Sequence, residues 1–153
     1  MSHRRELVRM TPEGIRAFLE SHRRLQVATL NSDGSPHLSV VWYAMHGQEL
    51  CFVTYTKTQK IRNLLRDPRI TVSVDDGDRY EELRGVVLST QARLLQGDEA
   101  LPYLKAIVRG QDPSASDAQV EANAGTLGDK RTVVVVRPGR IYSWDHGKLG
   151  GLY

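Results

Sequence analysis

Two hydrophobic periods alternate along this chain. Thr11-Pro12-Glu13 combines a capping threonine, a proline suited to the first helical position and an early acid. Ile15, Phe18 and Leu19 follow at i, i+3 and i+4, so the spacing predicts a helix with one apolar stripe. From Leu25 the period drops to two. Residues 25–30 read as a strand, Asn31-Ser32-Asp33-Gly34 as a turn, and residues 36–45 as a second strand. Both alternating sets of that strand are largely apolar: Leu38, Val40, Trp42 and Ala44 on one face, Ser39, Val41, Tyr43 and Met45 on the other. A strand apolar on both sides predicts a barrel wall with something packed on its outer face. His46-Gly47-Gln48 then turns the chain into a third strand over 49–54.

Polar residues from Thr54 to Lys60 lead into a short helix predicted to show Ile61, Leu64 and Leu65 on one face and to stop at Asp67-Pro68. A fourth strand is predicted over 69–75, an acidic loop over 75–78, and a long fifth strand over 82–95 with a bend at Gly85. Residues 98–109 read as a helix and 110–116 as a loop, while the Ala- and Gly-rich stretch 117–128 fits either. Residues 131–137 and 140–145 read as a hairpin around Pro138-Gly139, followed by a glycine-containing tail over 147–153. The expectation is a mainly β fold: one domain over 1–153, a six-stranded antiparallel barrel with two or three peripheral helices. There is no βαβ alternation and no Gly-x-Gly-x-x-Gly, which argues against a Rossmann nucleotide site.

Composition changes this picture little. The 153 residues are 40% hydrophobic and 25% charged, ordinary values for a globular protein. The longest apolar run, Val133 to Val136, is far short of the roughly 18 residues of a membrane span, and no apolar segment follows the basic start; a cytoplasmic location is expected. Cys51 is the single cysteine and sits in an apolar strand pattern, so it reads as a buried structural thiol. The five histidines lack metal-ligand spacing. A net charge of +3 is too small to imply nucleic acid, and even with a pI near 9.2 the chain shows no aromatic-basic stacking pattern. A clustered surplus would instead suit an anionic small molecule.

The clustering occurs between a strand end and a helix start. Thr54, Thr56, Lys57, Thr58, Gln59 and Lys60 put three hydroxyls and two ammonium groups into seven residues. With Thr58 as N-cap, the N–H groups of Gln59, Lys60 and Ile61 point outward, and the helix dipole adds positive potential. This is either a phosphate cradle or a solvated helix start that a threonine merely caps. A lysine in the first helical turn opposes the dipole by about 0.3–1 kcal/mol, which an anion would offset.

Three segments carry a family resemblance: 33–43 (DGSPHLSVVWY), 58–70 (TQKIRNLLRDPRI) and 79–85 (RYEELRG). Their order and spacing, above all Lys60-x-x-Asn63-Leu64-x-x-Asp67-Pro68-Arg69, resemble the pyridoxamine 5'-phosphate oxidase-like split β-barrel superfamily, and within it the deazaflavin-dependent branch that uses coenzyme F420. The stretches Asp129-Lys130-Arg131 and 143–150 resemble the C-terminus of some members of that branch; the arginine-rich tail of true pyridoxamine phosphate oxidases is missing. The resemblance, spanning about 15–148, implies a homodimer with a cofactor groove at each side of the interface, hydride transfer to a small organic substrate, and F420 as cofactor, with FMN the alternative. A non-enzymatic cofactor-binding module on the same fold is the other reading. Carried over, Thr54, Thr58, Lys60 and Lys57 would hold the phosphate, Ser39, Val40, Val41 and Trp42 would line the ring, and Lys130 and Arg131 would reach in from the other subunit. Tyr80 and Trp144 would wall the substrate side or pack an interface, and Trp42 would serve as cofactor wall or as core. His146 is a possible acid in a glycine-flanked tail, and no catalytic residue is identified.

Overall fold

The computed structural model describes residues 2–151. Helices α1 (Ser2–Val8) and α2 (Pro12–Ser21) precede β1 (Arg24–Leu30), β2 (Pro36–His46) and β3 (Glu49–Tyr55); α3 (Gln59–Arg66) leads to β4 (Arg69–Asp76) and β5 (Arg84–Leu95); α4 (Leu101–Gln111) and α5 (Asp117–Gly128) precede β6 (Arg131–Val136) and β7 (Arg140–Asp145). The strands are antiparallel in the order β4-β1-β2-β3-β6-β5, and β4 pairs again with β5, closing a six-stranded barrel; β7 lies beside β5 as a seventh strand.

Alternation fills the interior. Leu25 and Val27 of β1, Tyr43 of β2, Phe52 of β3, Val72 and Val74 of β4, Val86 of β5 and Val134 of β6 are all buried in one cluster. Phe18 and Leu19 of α2, and Ile61 and Leu64 of α3, pack against the same core. Thr11 caps α2 as its sequence predicts, accepting from the Gly14 N–H at 3.0 Å. The Tyr43 hydroxyl donates to the Leu19 carbonyl at 2.6 Å, tying α2 to the wall. A second core forms outside the barrel, where α4 and α5 cover Ala44, Cys51, Val133 and Val135. The Cys51 thiol is fully buried, and burial pushes its pKa up to about 12, as a structural thiol requires.

Several expectations need correction. The predicted 131–145 hairpin does not form: β6 pairs with β3 on one edge and with Ala92–Leu95 of β5 on the other, so it has no edge left for β7. The chain crosses instead at Pro138-Gly139, and β7 pairs with the Arg84–Ser89 half of β5. Gly139 is needed at that crossing, since a β-carbon there would stand 2.6 Å from the Ser89 carbonyl oxygen. On α3, Leu65 does not join the buried stripe but is 73% exposed, and Asn63 is fully buried in its place. The long strand starts at Arg84, because Tyr80–Glu82 forms a 3₁₀ turn. A 3₁₀ turn, Gly97–Ala100, also opens the predicted 98–109 helix. The ambiguous stretch is helix α5, begun by a capping box in which Ser116 and Gln119 bond reciprocally at 2.8 and 3.3 Å. The outer cover expected on β2 stops at Trp42, leaving Leu38 and Val40 68% and 63% exposed. Part of the tail folds as the 3₁₀ turn His146–Leu149; Leu152 and Tyr153 lie outside the described residues.

Asn63 explains its own burial. Its Nδ2 donates to Thr29 Oγ1 and to Asn31 Oδ1, both at 3.0 Å, and its Oδ1 accepts from Gln59 Nε2 at 2.9 Å, fastening α3 to the end of β1. Asn63→Ala should therefore lower stability by about 2–3 kcal/mol, because it strands the buried Thr29 hydroxyl. Leu65→Ala should change stability by no more than about 0.5 kcal/mol. Urea denaturation of the two variants checks the contrast.

Candidate functional site

The barrel wall opens between β2 and β3. Residues Pro36 to Trp42 of β2 pair with β1, whereas the β2–β3 ladder spans only Tyr43↔Phe52 to His46↔Glu49. Beyond Tyr43 the two strands part, so no strand covers the β3-facing edge of residues 36–42. The end of β3, from Val53 to Tyr55, pairs with β6 alone. Three residues separate the end of β3 from α3, and the Thr58 N–H donates to the Tyr55 carbonyl at 3.1 Å, so the helix starts beside this opening.

Side chains facing inward change character here. Deeper in the barrel they are Tyr43 and Phe52; at the opening they are His37 and Ser39 on β2, paired with Thr29 and Val27 on β1, and Thr54 on β3, paired with Thr132 on β6. His37 Nδ1 and Ser39 Oγ are buried with no hydrogen-bond partner. The Thr58 hydroxyl is in the same condition: Thr58 occupies the N-cap of α3 with extended backbone, but its Oγ1 caps no helical N–H and is buried without a partner. Lys60 is only 9% exposed and, among the described residues, has neither an ion pair nor a hydrogen bond. Desolvation lowers its pKa from the ordinary lysine value. Buried polar groups are nearly always paired, so several partnerless ones around one opening make it a candidate ligand site. The donors present, two hydroxyls and an ammonium at a helix N-terminus, match a phosphate group.

Not every residue of the predicted cluster faces this ligand space. The Thr56 hydroxyl is engaged by Thr132 Oγ1 at 2.9 Å, and Gln96 Nε2 donates to both, at 3.3 and 2.8 Å. Gln59 is used on Asn63, while Lys57 is exposed. Lys130 and Arg131 lie beside the corner of their own chain. The Thr56 N–H donates to the Lys130 carbonyl at 3.0 Å, and Lys130 sits at φ 56°, a left-handed conformation unusual for a residue with a side chain. Arg131 donates to the Tyr55 hydroxyl at 2.8 Å, its guanidinium 4.3 Å from that ring's centroid. Val41 packs inward and Val40 points outward; Trp42 packs on α4, where a β-carbon on Gly110 would stand 2.8 Å from the indole. Tyr80 and Trp144 are elsewhere. Trp144 stands beside Gly85 at the start of β5, and Tyr80 stacks on His146 at 4.6 Å. Val133 pairs at the other end of β5, on the order of 30 Å away at strand rise. Within one chain these aromatics do not meet the corner.

Sequence reasoning missed His37 and gave Asn63 no role. The available signal was parity: both positions are polar where the element's period calls for a core residue.

A closed antiparallel barrel, split between β2 and β3 with a helix N-terminus and unsatisfied polar groups at the split, defines a small split-barrel protein. The family model described as pyridoxamine 5'-phosphate oxidase matches residues 11–145, and the chain belongs to that family. Among solved structures, a conserved hypothetical protein from Mycobacterium tuberculosis, Rv2991, is 34% identical with TM-score 0.88, the match covering 95% of this chain and 91% of that one. An F420 reductase is 28% identical with TM-score 0.62 over 86% of this chain and 98% of its own. An FAD-binding protein from Mesorhizobium loti, at 17% identity and TM-score 0.60 over 89% and 94%, shares the fold.

Because the Lys60 pKa is lowered on folding, its charged form destabilises the ligand-free protein at neutral pH. The unfolded state then binds more protons between the lowered value and about 10.4, so stability from this group should rise with pH across that window. Lys60→Met should raise the thermal midpoint of the ligand-free protein at pH 7 and remove that slope. It should also weaken phosphate binding at the corner about tenfold or more, the scale of a lost charge-assisted hydrogen bond. Calorimetry across pH and a phosphate titration followed by NMR read these effects.

Proposed function

We propose that the protein is an F420-dependent reductase, binding the deazaflavin at the split between β2 and β3 and reducing a small organic substrate as a homodimer. The observation that carries this reading is the partnerless Thr58 hydroxyl beside the buried, unpaired Lys60 at the start of α3. Support for the deazaflavin in particular comes from the Lys60-to-Arg69 motif and from the 28% identity to an F420 reductase over nearly all of that protein's length.

The residues divide the work. Thr54, Thr58 and Lys60 would hold the phosphate, with exposed Lys57 adding charge at the rim. Lys130 and Arg131 extend the positive ledge, and the anchoring of Arg131 on Tyr55 holds its guanidinium in place. The uncovered backbone edge of Ser39 to Trp42 offers donors and acceptors to the polar rim of a planar ring, while outward-facing Val40 gives it an apolar surface. When bound, the deazaflavin supplies two-electron hydride chemistry. The protein's part is to fix the ring, exclude water and hold the acceptor at near-attack distance, about 3–3.5 Å. The second chain has two tasks. It would cover Leu38, Val40 and Tyr55, three large apolar side chains left more than half exposed around the split, and it would bring Tyr80 and Trp144 to the substrate side, where their own chain cannot place them.

Titration with F420 should show saturable binding and FMN none. A yellow protein purified with a flavin spectrum would move the assignment to FMN, and tight binding of reduced F420 without turnover of any quinone, enone or tetrapyrrole would make this a binding protein. Sedimentation should give a dimer, and Val40→Glu should shift it to monomer and weaken cofactor binding together. A monomer that binds F420 at full affinity would refute the two-chain groove.

A further inference from the structure

The barrel end remote from the split holds a cavity of about 370 Å³, within the range of small-molecule sites. Its existence follows from the strand accounting above. The chain leaves β6 at Val136, paired with Ala92, and rejoins β5 only at Arg140, paired with Ser89. Between these points the wall is a crossover rather than a strand, and α2 covers the gap incompletely. The cavity floor is formed by Leu50, Leu88 and Val136, and its rim includes Ile141, which is 41% exposed and pairs with Leu88.

The mouth is charged. Arg137 lies there and, among the described residues, its guanidinium has neither ion pair nor hydrogen bond. Arg16 lies on the same lining and is already tied to Glu20 at 2.9 Å. Glu13, the single acid on that lining, sits in the first turn of α2, where the helix dipole offsets its charge, and with Arg16 paired to Glu20 the charge left uncompensated at the mouth is that of Arg137. An apolar floor under a free guanidinium is complementary to a molecule with a hydrocarbon body and a carboxylate head, which arginine can grip with two parallel hydrogen bonds. An alkyl cation would meet like charge at the mouth, and a neutral hydrocarbon would leave Arg137 unused.

We propose that this cavity binds a small amphipathic carboxylate of the medium-chain fatty-acid type, its chain on Leu50, Leu88 and Val136 and its head on Arg137. The site is separate from the split: Leu50 and Tyr55 are at opposite ends of β3, about 17 Å apart at strand rise, so both sites can be filled at once.

Octanoate titrated into the full-length protein, followed by amide chemical shifts, tests this. Saturable binding with shifts at Leu50, Leu88 and Val136 is expected, weakened about tenfold or more by Arg137→Ala. Ile141→Trp, which fills the rim beside Leu88, should abolish it. Octylamine should fail to bind, and 1-octanol should bind wild type and Arg137→Ala equally. The proposal is overturned by absence of saturable octanoate binding, by wild-type affinity in either variant, or by octylamine binding as well as octanoate. Both variants alter exposed side chains, and unchanged shifts elsewhere confirm their fold.

Discussion

The chemistry proposed for this protein depends on one parting of strands. A β-strand inside a closed barrel normally has both edges satisfied, and β2 does so only over its last few residues, where β3 pairs with it from Tyr43 onward. Over Pro36 to Trp42 one edge belongs to β1 and the other faces the opening. Unpaired backbone groups are tolerable only with another partner, whether water, ligand or a second chain. The same parting turns interior-facing positions into site positions: His37, Ser39 and Thr54 occupy places where a sealed barrel would carry valines.

At that opening, binding and stability pull in opposite directions. Burying Lys60 without a counter-charge and leaving the Thr58 hydroxyl unbonded both cost folding free energy. Asn63 limits the loss, since its two side-chain bonds to Thr29 and Asn31 hold α3 against the end of β1. The proposed anion would find its donors already desolvated and oriented, the condition under which a charged hydrogen bond contributes most. The thermodynamic cost sits in the ligand-free protein and would be returned on the proposed binding.

The outer surface obeys a similar division. Helices α4 and α5 cover the β3 and β6 side, burying Cys51, Val133 and Val135, and this accounts for a valine run with no alternation. The cover ends at Trp42, where Gly110 lets the indole meet the helix. Beyond it, Leu38 and Val40 continue the apolar face and are left more than half exposed. The family to which the chain belongs, and its likeness to Rv2991 over most of both chains, establish the fold independently of this packing logic.

Local chemistry made much of this readable from the residues alone. The Thr11 cap, the Asn31–Gly34 turn, the stop at Asp67-Pro68 and most strand positions depend on neighbours a few residues apart, and the hydroxyl-and-lysine corner is contiguous. Partnerships across the barrel were not readable. No local signal says that β6 would spend both edges on β3 and β5 and so send β7 past it, or that Asn63 rather than Leu65 would turn inward to meet Thr29 and Asn31 on another strand. Nor could periodicity show that Tyr80 and Trp144 stand a strand's length from the hydroxyl-and-lysine corner. Pairing choice, parity at an opening and the distance between site residues are properties of the closed sheet, and they exist only once every strand has taken its place.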